Sequence, residues 1–345
     1  MMSTVRYTKS SDGTALAWTK GGQGPVVVKA SNWLTHLEYD LESPIWSHWI
    51  KFLEQRFTTV RYDERGCGLS DRRAKNLTLD HWVADLEAVV EASNVEKPFY
   101  LLGISQGAAT SIAYAIKNPE DVAGLILVGG YARGSNHRGP LAAELYSTVI
   151  NVFKLGWQQN NPAFQDVFTS RFIPDAPADQ RRWFTDLCQA TVSPETGAEL
   201  LMARAEVNVE DMLSKVTVPT WIFHTRDDQV IPFEEGQILA QGIPNAQFKS
   251  LDGKNHIIQE AEPAWKNFCQ EILGLIEQKD RPSLEGLTGR ELQILKGICN
   301  AQSNKEIARD LDVSEKTVRN HISNLFSKLG VGNRQQALKR FGQVM

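Results

Sequence analysis

The sequence has few cysteines and no long apolar segment, and both absences narrow the classes of protein that fit it. Four cysteines among 345 residues show no spacing typical of a metal site or a disulfide framework: Cys67, Cys188, Cys269 and Cys299. The first residues, MMSTVRYTKS, lack the apolar core of a secretory signal, and no run approaches the ~20 apolar residues that span a bilayer. We therefore expect a cytoplasmic protein with free thiols and with no metal, cofactor or membrane partner.

Charge is distributed unevenly along the chain. Residues 282–345 hold ten Lys and Arg against six Asp and Glu, a net charge of +4, whereas residues 1–281 hold 27 against 35, a net charge of −8. A small basic segment attached to a large acidic one indicates that the basic segment meets an anionic partner. The length allows a full α/β core and a second, small domain.

Residues 1–278 alternate short apolar runs with helical segments, which is typical of a mostly parallel α/β sheet. Helices are expected between strands, and seven strands are predicted: 15–19, 25–30, 57–63, 99–104, 124–130, 220–225 and 248–251. The long amphipathic connection between the fifth and sixth strands predicts a helical lid at about 132–214. The charged segment 279–286, which contains a proline and a glycine, is the predicted linker to a second domain at 287–345.

A serine between glycines follows one predicted strand. In GISQG, residues 103–107, the glycines tolerate a tight strand-to-helix turn that holds Ser105 in a strained, accessible position. Asp227 and Asp228 follow a later strand, and His256 follows the last one. Taken singly, His256 is more often an ordinary loop histidine and Asp228 a helix cap. The serine, the aspartates and the histidine follow one another in this order along the chain, and each comes just past a strand at the same sheet edge. This arrangement favours a nucleophile, an orienting acid and a base.

These segments resemble the α/β-hydrolase fold over residues 1–278. The stretch RYDERGCGLSD (61–71) is similar to the segment after the family's fourth strand, and DDQVIP (227–232) is similar to its acid loop. The resemblance implies that Ser105 is the nucleophile, His256 the general base and acid, and Asp228, rather than Asp227, the orienting carboxylate.

One loop departs from the family pattern. Members usually carry His-Gly after the third strand, where this chain has Ser31, Asn32 and Trp33. The N–H groups of Gln106 and Trp33 are the expected oxyanion donors, with the Asn32 side chain as an alternative donor. Because loss of one such donor costs ~10²–10³ in rate, the departure bears on catalytic efficiency.

The basic segment predicts four helices. Thr288 with Glu291 forms a capping box that opens the first helix, Ser303 caps the second, and Ser314 caps a third that runs to about Lys328. Apolar residues form one stripe along the third helix, and polar and basic residues occupy the opposite face. Such a helix suits the major groove of DNA.

The motifs LTGRE, SNKEIA, VSEKTVRNHI and KLGVGNRQQA are characteristic of the LuxR-type helix-turn-helix domain, and the resemblance covers about 286–342. It implies that Arg319, Asn320 and Ser323 face base edges. It also implies phosphate contacts from four residues: Lys305, Lys316, Thr317 and Lys328. Such contacts position the domain on the DNA but do not distinguish one base sequence from another. Ala337, Leu338 and Phe341 resemble the stripe through which such domains pair, so we expect a homodimer on a palindromic double-stranded site.

The two resemblances together predict a transcriptional regulator whose N-terminal domain binds a small ester- or lactone-like effector. The fold alone leaves open whether the effector is also hydrolysed, because non-catalytic receptors use the same fold. The alternative is an active serine esterase or lactonase with an accessory DNA-binding tail. A phosphorylation-controlled response regulator is disfavoured, since the N-terminal segment lacks the early paired acids and late lysine of a receiver domain. The effector, the promoter and the direction of regulation stay open.

Overall fold

The chain divides into two units, Met1–Cys269 and Gln270–Met345. The structure is a computed structural model that describes residues 4–73, 75–280, 286–329 and 331–341. Within these residues, no helix combines the length and apolar character needed to span a bilayer. No group of three or more His, Cys, Asp or Glu in the same residues is placed to hold a metal ion.

An eight-stranded sheet forms the core of the first unit. The strands are β1 Arg6–Lys9, β2 Ala15–Gly21, β3 Val26–Lys29, β4 Thr58–Tyr62, β5 Phe99–Ile104, β6 Val122–Val128, β7 Thr220–Thr225 and β8 Gln247–Leu251. Their order is β1-β2-β4-β3-β5-β6-β7-β8. The pairs β1–β2 and β2–β4 are antiparallel, and every other neighbouring pair is parallel. All seven predicted strands are present. The sequence missed β1 because RYTK is mostly exposed and has no apolar run.

Nine helices follow or separate these strands in the described residues. They are α1 Ser47–Arg56, α2 Leu79–Ser93, α3 Gly107–Lys117, α4 Pro140–Gln158, α5 Pro162–Thr169, α6 Ala178–Thr191, α7 Pro194–Ala205, α8 Phe233–Gly242 and α9 Pro263–Asp280. Helices on both faces of the parallel strands explain why β5, FYLLGI, is buried at every position. The last helix, α9, overlaps residues 279 and 280 of the predicted linker, and residues 281–285 lie outside the described residues.

Four helices, α4 to α7, fill the long connection between β6 and β7 where the sequence predicts a lid. The side chain of Asn161 caps α5 and that of Ser193 caps α7, each followed by a proline at the first helical position. This lid reaches the carboxyl edge of the sheet, since the carbonyl of Phe172 accepts the His256 N–H at 2.9 Å.

The second unit contains α10 Gly289–Cys299, α11 Asn304–Asp310, α12 Glu315–Leu329 and α13 Arg334–Phe341. The predicted capping box of Thr288 and Glu291 is present, and Ser303 forms another with Glu306. The Oγ of Ser314 accepts the Thr317 N–H at 3.1 Å. The apolar stripe of α12 packs into a core shared by all four helices.

The predicted pairing stripe is wrong at two of its three positions. Ala337 and Phe341 are buried inside the core of their own unit, whereas Leu338 is 40% exposed. A spacing of four places Ala337 and Phe341 on one face of α13, and this short helix needs that face to pack on the rest of the domain. Only Leu338 of the predicted stripe is available to a partner.

Candidate active site

Ser105 lies at the turn between β5 and α3. Its φ is 53°, a left-handed conformation that residues with side chains rarely adopt. Its N–H donates to the carbonyl of Val128 at 2.9 Å, which fixes the turn against the end of β6. Backbone strain of this kind is what a nucleophile turn requires, and the structure places it at the serine that the sequence singled out.

The glycines flanking the serine allow α3 to pack directly on its surroundings. A Cβ atom at Gly103 would lie 2.7 Å from both the Gly107 carbonyl oxygen and the Ser111 Oγ. A Cβ atom at Gly107 would lie 3.0 Å from the Ser31 carbonyl oxygen. The helix start therefore touches β5 and the loop after β3 with no room for a side chain between them.

We predict that Gly103→Ala lowers the free energy of unfolding by about 1–3 kcal/mol, because the added methyl group overlaps backbone and hydroxyl atoms. Urea unfolding of the purified chain measures this. The matched control is Gly274→Ala in α9, where a Cβ atom meets nothing within 4 Å and no loss is expected. Equal stability of the two variants would show that the turn is not tightly packed.

Asp228 and His256 form a direct pair at the carboxyl ends of β7 and β8. The Nδ1 atom of His256 is 2.7 Å from Oδ2 of Asp228. The other oxygen, Oδ1, accepts the N–H groups of Val230 and Ile231 at 2.7 and 3.0 Å. With both oxygens engaged, the carboxylate holds the imidazole in one orientation. The neighbouring Asp227 is exposed and takes no part in this pair.

The electrostatics of the pair define where the protons lie. Burial raises the pKa of Asp228, but the adjacent His256, then His224 and the Ile231 N–H, outweigh burial and hold that pKa below its ordinary value. An ionised carboxylate only accepts, so Nδ1 of His256 donates to it. His224 lies 3.7 Å from the same Oδ2, and burial lowers the pKa of His224, which keeps it neutral.

Two consecutive glycines lie close to these residues, Gly129 to the histidine and Gly130 to the serine. A Cβ atom at Gly129 would lie 3.1 Å from Cε1 of His256, and one at Gly130 would lie 3.7 Å from the Ser105 carbonyl oxygen. The Nε2 atom of His256 is buried and has no hydrogen-bond partner in the described part of the chain, so it is not bonded to the Ser105 hydroxyl. The structure thus brings the three predicted residues to one edge, with the serine–histidine contact open. Such contacts often tighten only when substrate binds.

The two expected oxyanion donors flank the serine. Gln106 precedes the first residue of α3, where backbone N–H groups point out of the helix end. Trp33 belongs to the loop after β3, which packs against the start of α3 through the Gly107–Ser31 contact. Neither N–H group is used in a hydrogen bond within the residues that the structure describes.

Asn32 holds this loop through its side chain. Its Oδ1 accepts from the ammonium of Lys29, and its Nδ2 donates to the Trp33 carbonyl at 3.1 Å. The Nδ2 group has a second N–H, so the alternative in which Asn32 itself supplies an oxyanion donor stays a prediction. The side chain fixes the backbone around Trp33.

A row of aromatic rings connects the loop after β3 with the histidine. Ring centroids lie 5.5 Å apart for Trp33–Phe153, 4.9 Å for Phe153–Phe168, 5.4 Å for Phe168–Phe172 and 5.8 Å for Phe172–His256. Three of these residues come from the lid, so the lid supplies an apolar wall beside the candidate catalytic residues.

Sequence reasoning missed this wall and a buried arginine beside it. Arg204 of α7 forms an ion pair with Glu64, and its guanidinium carbon lies 4.7 Å from the centre of the Trp33 ring. The sequence offers one indication of this arginine. It is the single cation in LLMARA, residues 200–205, a stretch that is otherwise small or apolar. Without coordinates, that cation cannot be distinguished from one on the solvent face of the helix.

The second unit presents most of the predicted DNA-contacting side chains to solvent. The base-facing candidates Arg319, Asn320 and Ser323 are exposed on α12, opposite the buried Val318 and Leu325. Of the predicted phosphate contacts, Thr317 is half-buried and the others are exposed: Lys305, Lys316 and Lys328.

Lys328 differs from the other candidates because it already has partners. Its ammonium lies 2.9 Å from Oε2 of Glu291 and 3.3 Å from the Gly286 carbonyl. A phosphate contact from Lys328 requires exchange or sharing of these partners. Its expected role remains a prediction, as do those of the other DNA-contacting residues.

Known families match both units. Residues 48–263 match the family model described as serine aminopeptidase, S33, one of the α/β-hydrolase families, and residues 285–341 match the model described as bacterial regulatory proteins, luxR family.

Individual relatives match the first part of the chain. The chain is 26% identical over 200 residues to a 2-hydroxy-6-oxononadienedioate/2-hydroxy-6-oxononatrienedioate hydrolase of Cupriavidus pinatubonensis, spanning 55% of this chain and 66% of that protein. It is 26% identical over 250 residues to 3-oxoadipate enol-lactonase 1 of Acinetobacter baylyi, spanning 68% of this chain and 84% of the lactonase. An esterase structure from Exiguobacterium antarcticum covers 79% of this chain and 98% of its own, with a TM-score of 0.66 at 21% identity, a likeness in fold.

Proposed function

Because the chain belongs to the serine aminopeptidase S33 family of α/β-hydrolases and carries a LuxR-type DNA-binding domain, we propose that it is a cytoplasmic transcriptional regulator whose hydrolase domain binds and hydrolyses a small ester or lactone. One observation supports the proposal above all. The 2.7 Å His256–Asp228 pair lies at the same sheet edge as a serine at φ 53°, in the same polypeptide as a helix, α12, with an exposed polar face.

The proposed chemistry is acyl transfer to Ser105. The Ser105 hydroxyl adds to the carbonyl carbon while Nε2 of His256 removes its proton, and Asp228 stabilises the imidazolium that forms. The N–H groups of Gln106 and Trp33 stabilise the oxyanion. His256 then protonates the departing alkoxide, and water releases the acid from Ser105 in a second, equivalent addition. In a lactone, the departing alkoxide stays tethered to the acyl group until that hydrolysis.

The relatives support this class of substrate, since an enol-lactonase and an esterase are among the proteins that the first unit resembles. The aromatic wall of the lid fits the apolar part of a small ester or lactone.

Regulation requires that effector and DNA binding be coupled. A ligand changes DNA affinity only if it binds the DNA-competent and DNA-incompetent states with unequal affinity, and the coupling is reciprocal. We propose two copies of the chain on a palindromic duplex, with base contacts from Arg319, Asn320 and Ser323 and phosphate contacts from Lys305, Lys316, Thr317 and Lys328.

We expect Arg319→Ala to weaken binding to a selected duplex about tenfold to hundredfold, the range of a good side-chain–base contact, and to leave ester hydrolysis unchanged. Electrophoretic mobility shifts on a duplex selected from a random library measure the first effect. The control is Arg226→Ala, which removes an exposed arginine from the first unit. Loss of hydrolysis together with DNA binding would contradict two separate functions.

The second candidate is an esterase or lactonase with an accessory tail, which the hydrolase relatives favour. A reporter driven by the selected duplex distinguishes the two candidates. The regulator proposal expects transcription to change with the protein and to depend on Arg319. Brisk ester hydrolysis together with a reporter that never responds would favour the accessory-tail enzyme.

A further inference from the structure

Arg204 is a buried arginine whose donors are only partly used. The residue is 4% exposed, and its Nη2 pairs with Glu64, but its Nε and Nη1 atoms have no hydrogen-bond partner among the described residues. Arg65 provides the contrast. It is equally buried, and its three nitrogens bond Asp85, Asp12, Ser10 and a backbone carbonyl. Burial in this chain therefore does not by itself leave guanidinium nitrogens unpaired.

Unpaired guanidinium N–H groups are costly in a protein interior. A buried donor that loses its acceptor destabilises the fold, and a charged donor does so more strongly. Native structures leave few such groups unpaired, and a bound molecule that supplies the acceptor is one way in which they are satisfied. The open donors of Arg204 thus indicate a ligand that brings oxygen acceptors.

The topology brings this side chain to the sheet edge that carries the serine. The Arg204 guanidinium contacts Glu64 after β4 and Trp33 after β3, and it lies within electrostatic range of Tyr131 after β6. In the sheet, β5 lies between β3 and β6, and Ser105 stands at its carboxyl end. Residues that follow the strands on either side of β5 therefore lie near Arg204, at the sheet edge that carries Ser105.

Two further donors, on the residue after Ser105 and in the loop after β3, are also unpaired. Nε1 of Trp33 and Nε2 of Gln106 are buried without a hydrogen-bond partner in the described residues. An indole N–H only donates, and so does an amide NH₂ group. The sheet edge that carries Ser105 is accordingly rich in donors, with one permanent positive charge among them.

We propose that Arg204 binds a carboxylate on the same molecule that carries the ester or lactone, so that the effector is a mono-anionic acyl compound with an apolar middle. The inference rests on the proposed function and names its substrate class. The carboxylate meets the open Nε or Nη1 of Arg204, the apolar segment lies along the wall of Phe153, Phe168 and Phe172, and the ester carbonyl reaches Ser105. Glu64 occupies Nη2, which orients the guanidinium and leaves the remaining N–H groups for the ligand.

The test uses the full-length chain and two esters that differ only in charge, mono-4-nitrophenyl adipate and its methyl ester. The measured quantity is the ratio of kcat/KM for the anionic ester to kcat/KM for the neutral ester. We expect the wild type to favour the anion about tenfold to hundredfold, the range of one charge-assisted hydrogen bond. Arg204→Gln is expected to abolish that preference.

Three further variants separate ligand binding from a structural role. Glu64→Gln removes the competing carboxylate and is expected to keep or increase the preference, whereas a purely structural ion pair would make Glu64→Gln and Arg204→Gln lower both rates in parallel. The double variant Glu64→Gln/Arg204→Gln avoids an unpaired buried carboxylate and should also lack the preference. The matched control, Arg65→Lys, alters a buried arginine elsewhere and is expected to lower stability without changing the ratio.

The outcomes distinguish this inference from the proposed hydrolase function. Hydrolysis of both esters with a ratio near one, or a ratio that Arg204→Gln leaves unchanged, overturns the carboxylate site while the hydrolase stands. If neither ester is cleaved, thermal unfolding with monomethyl adipate and dimethyl adipate decides. A rise in Tm with the anion alone that is absent in Arg204→Gln supports the site without hydrolysis, and no such rise overturns it.

Discussion

Ser105→Ala is expected to lower kcat/KM for a 4-nitrophenyl ester by roughly 10⁴ or more, to the residual level that oxyanion donors and binding alone provide. The reason is that Ser105 is the hydroxyl held at φ 53° at the same sheet edge as the buried Nε2 of His256. Initial rates of 4-nitrophenolate release from the purified chain measure the loss.

The matched control is Ser147→Ala, which removes an exposed hydroxyl from α4 and should change the rate by less than about twofold. Circular dichroism of both variants checks that the fold is retained. A Ser105→Ala protein that keeps more than a tenth of the wild-type rate would show that another group carries the reaction.

Asp228→Asn is expected to lower kcat by roughly 10⁴ and to leave the fold intact. The loss of rate comes from a change in the tautomer of His256. The Asn Oδ1 accepts the N–H groups of Val230 and Ile231 as the aspartate does, and its NH₂ group then faces Nδ1 of His256. That contact favours the tautomer with the proton on Nε2, which has no lone pair to take a proton from Ser105.

Asp227→Asn is the control for this prediction, because it makes the same chemical change one residue earlier on an exposed side chain. Its rate should stay within about twofold of the wild type. A similar loss in the two variants would mean that the effect comes from the loop rather than from the His256–Asp228 pair.

Local patterns in the sequence predict much of the fold and of the site. Buried strands such as FYLLGI are apolar throughout, and the cap at Thr288 with Glu291 depends on residues three apart, so both are visible without coordinates. The choice of Asp228 over Asp227 came from the acid-loop resemblance, and the structure pairs that residue with His256. The position of β1 was missed since its side chains are mostly exposed.

The remaining features depend on contacts between distant segments. The Arg204–Glu64 pair joins residues 140 positions apart, and no periodicity in either segment indicates it. The Lys29–Asn32 contact spans three residues of an irregular loop, where no repeating geometry relates sequence to direction. The burial of Ala337 and Phe341 was mistaken for a pairing surface because an apolar helix face looks the same whether its partner is the same chain or a second copy.

A regulator of this kind must transmit the state of Ser105 to its DNA-binding domain. The decisive measurement is the affinity of the full-length protein for its selected duplex before and after a fluorophosphonate modifies Ser105, with Ser105→Ala treated in parallel and mass spectrometry confirming the adduct. We predict a change of about 5- to 150-fold in Kd for the wild type, the range of allosteric coupling between two sites, and none for Ser105→Ala. Equal affinities of modified and unmodified wild-type protein would contradict the central claim that the hydrolase domain controls the DNA-binding domain.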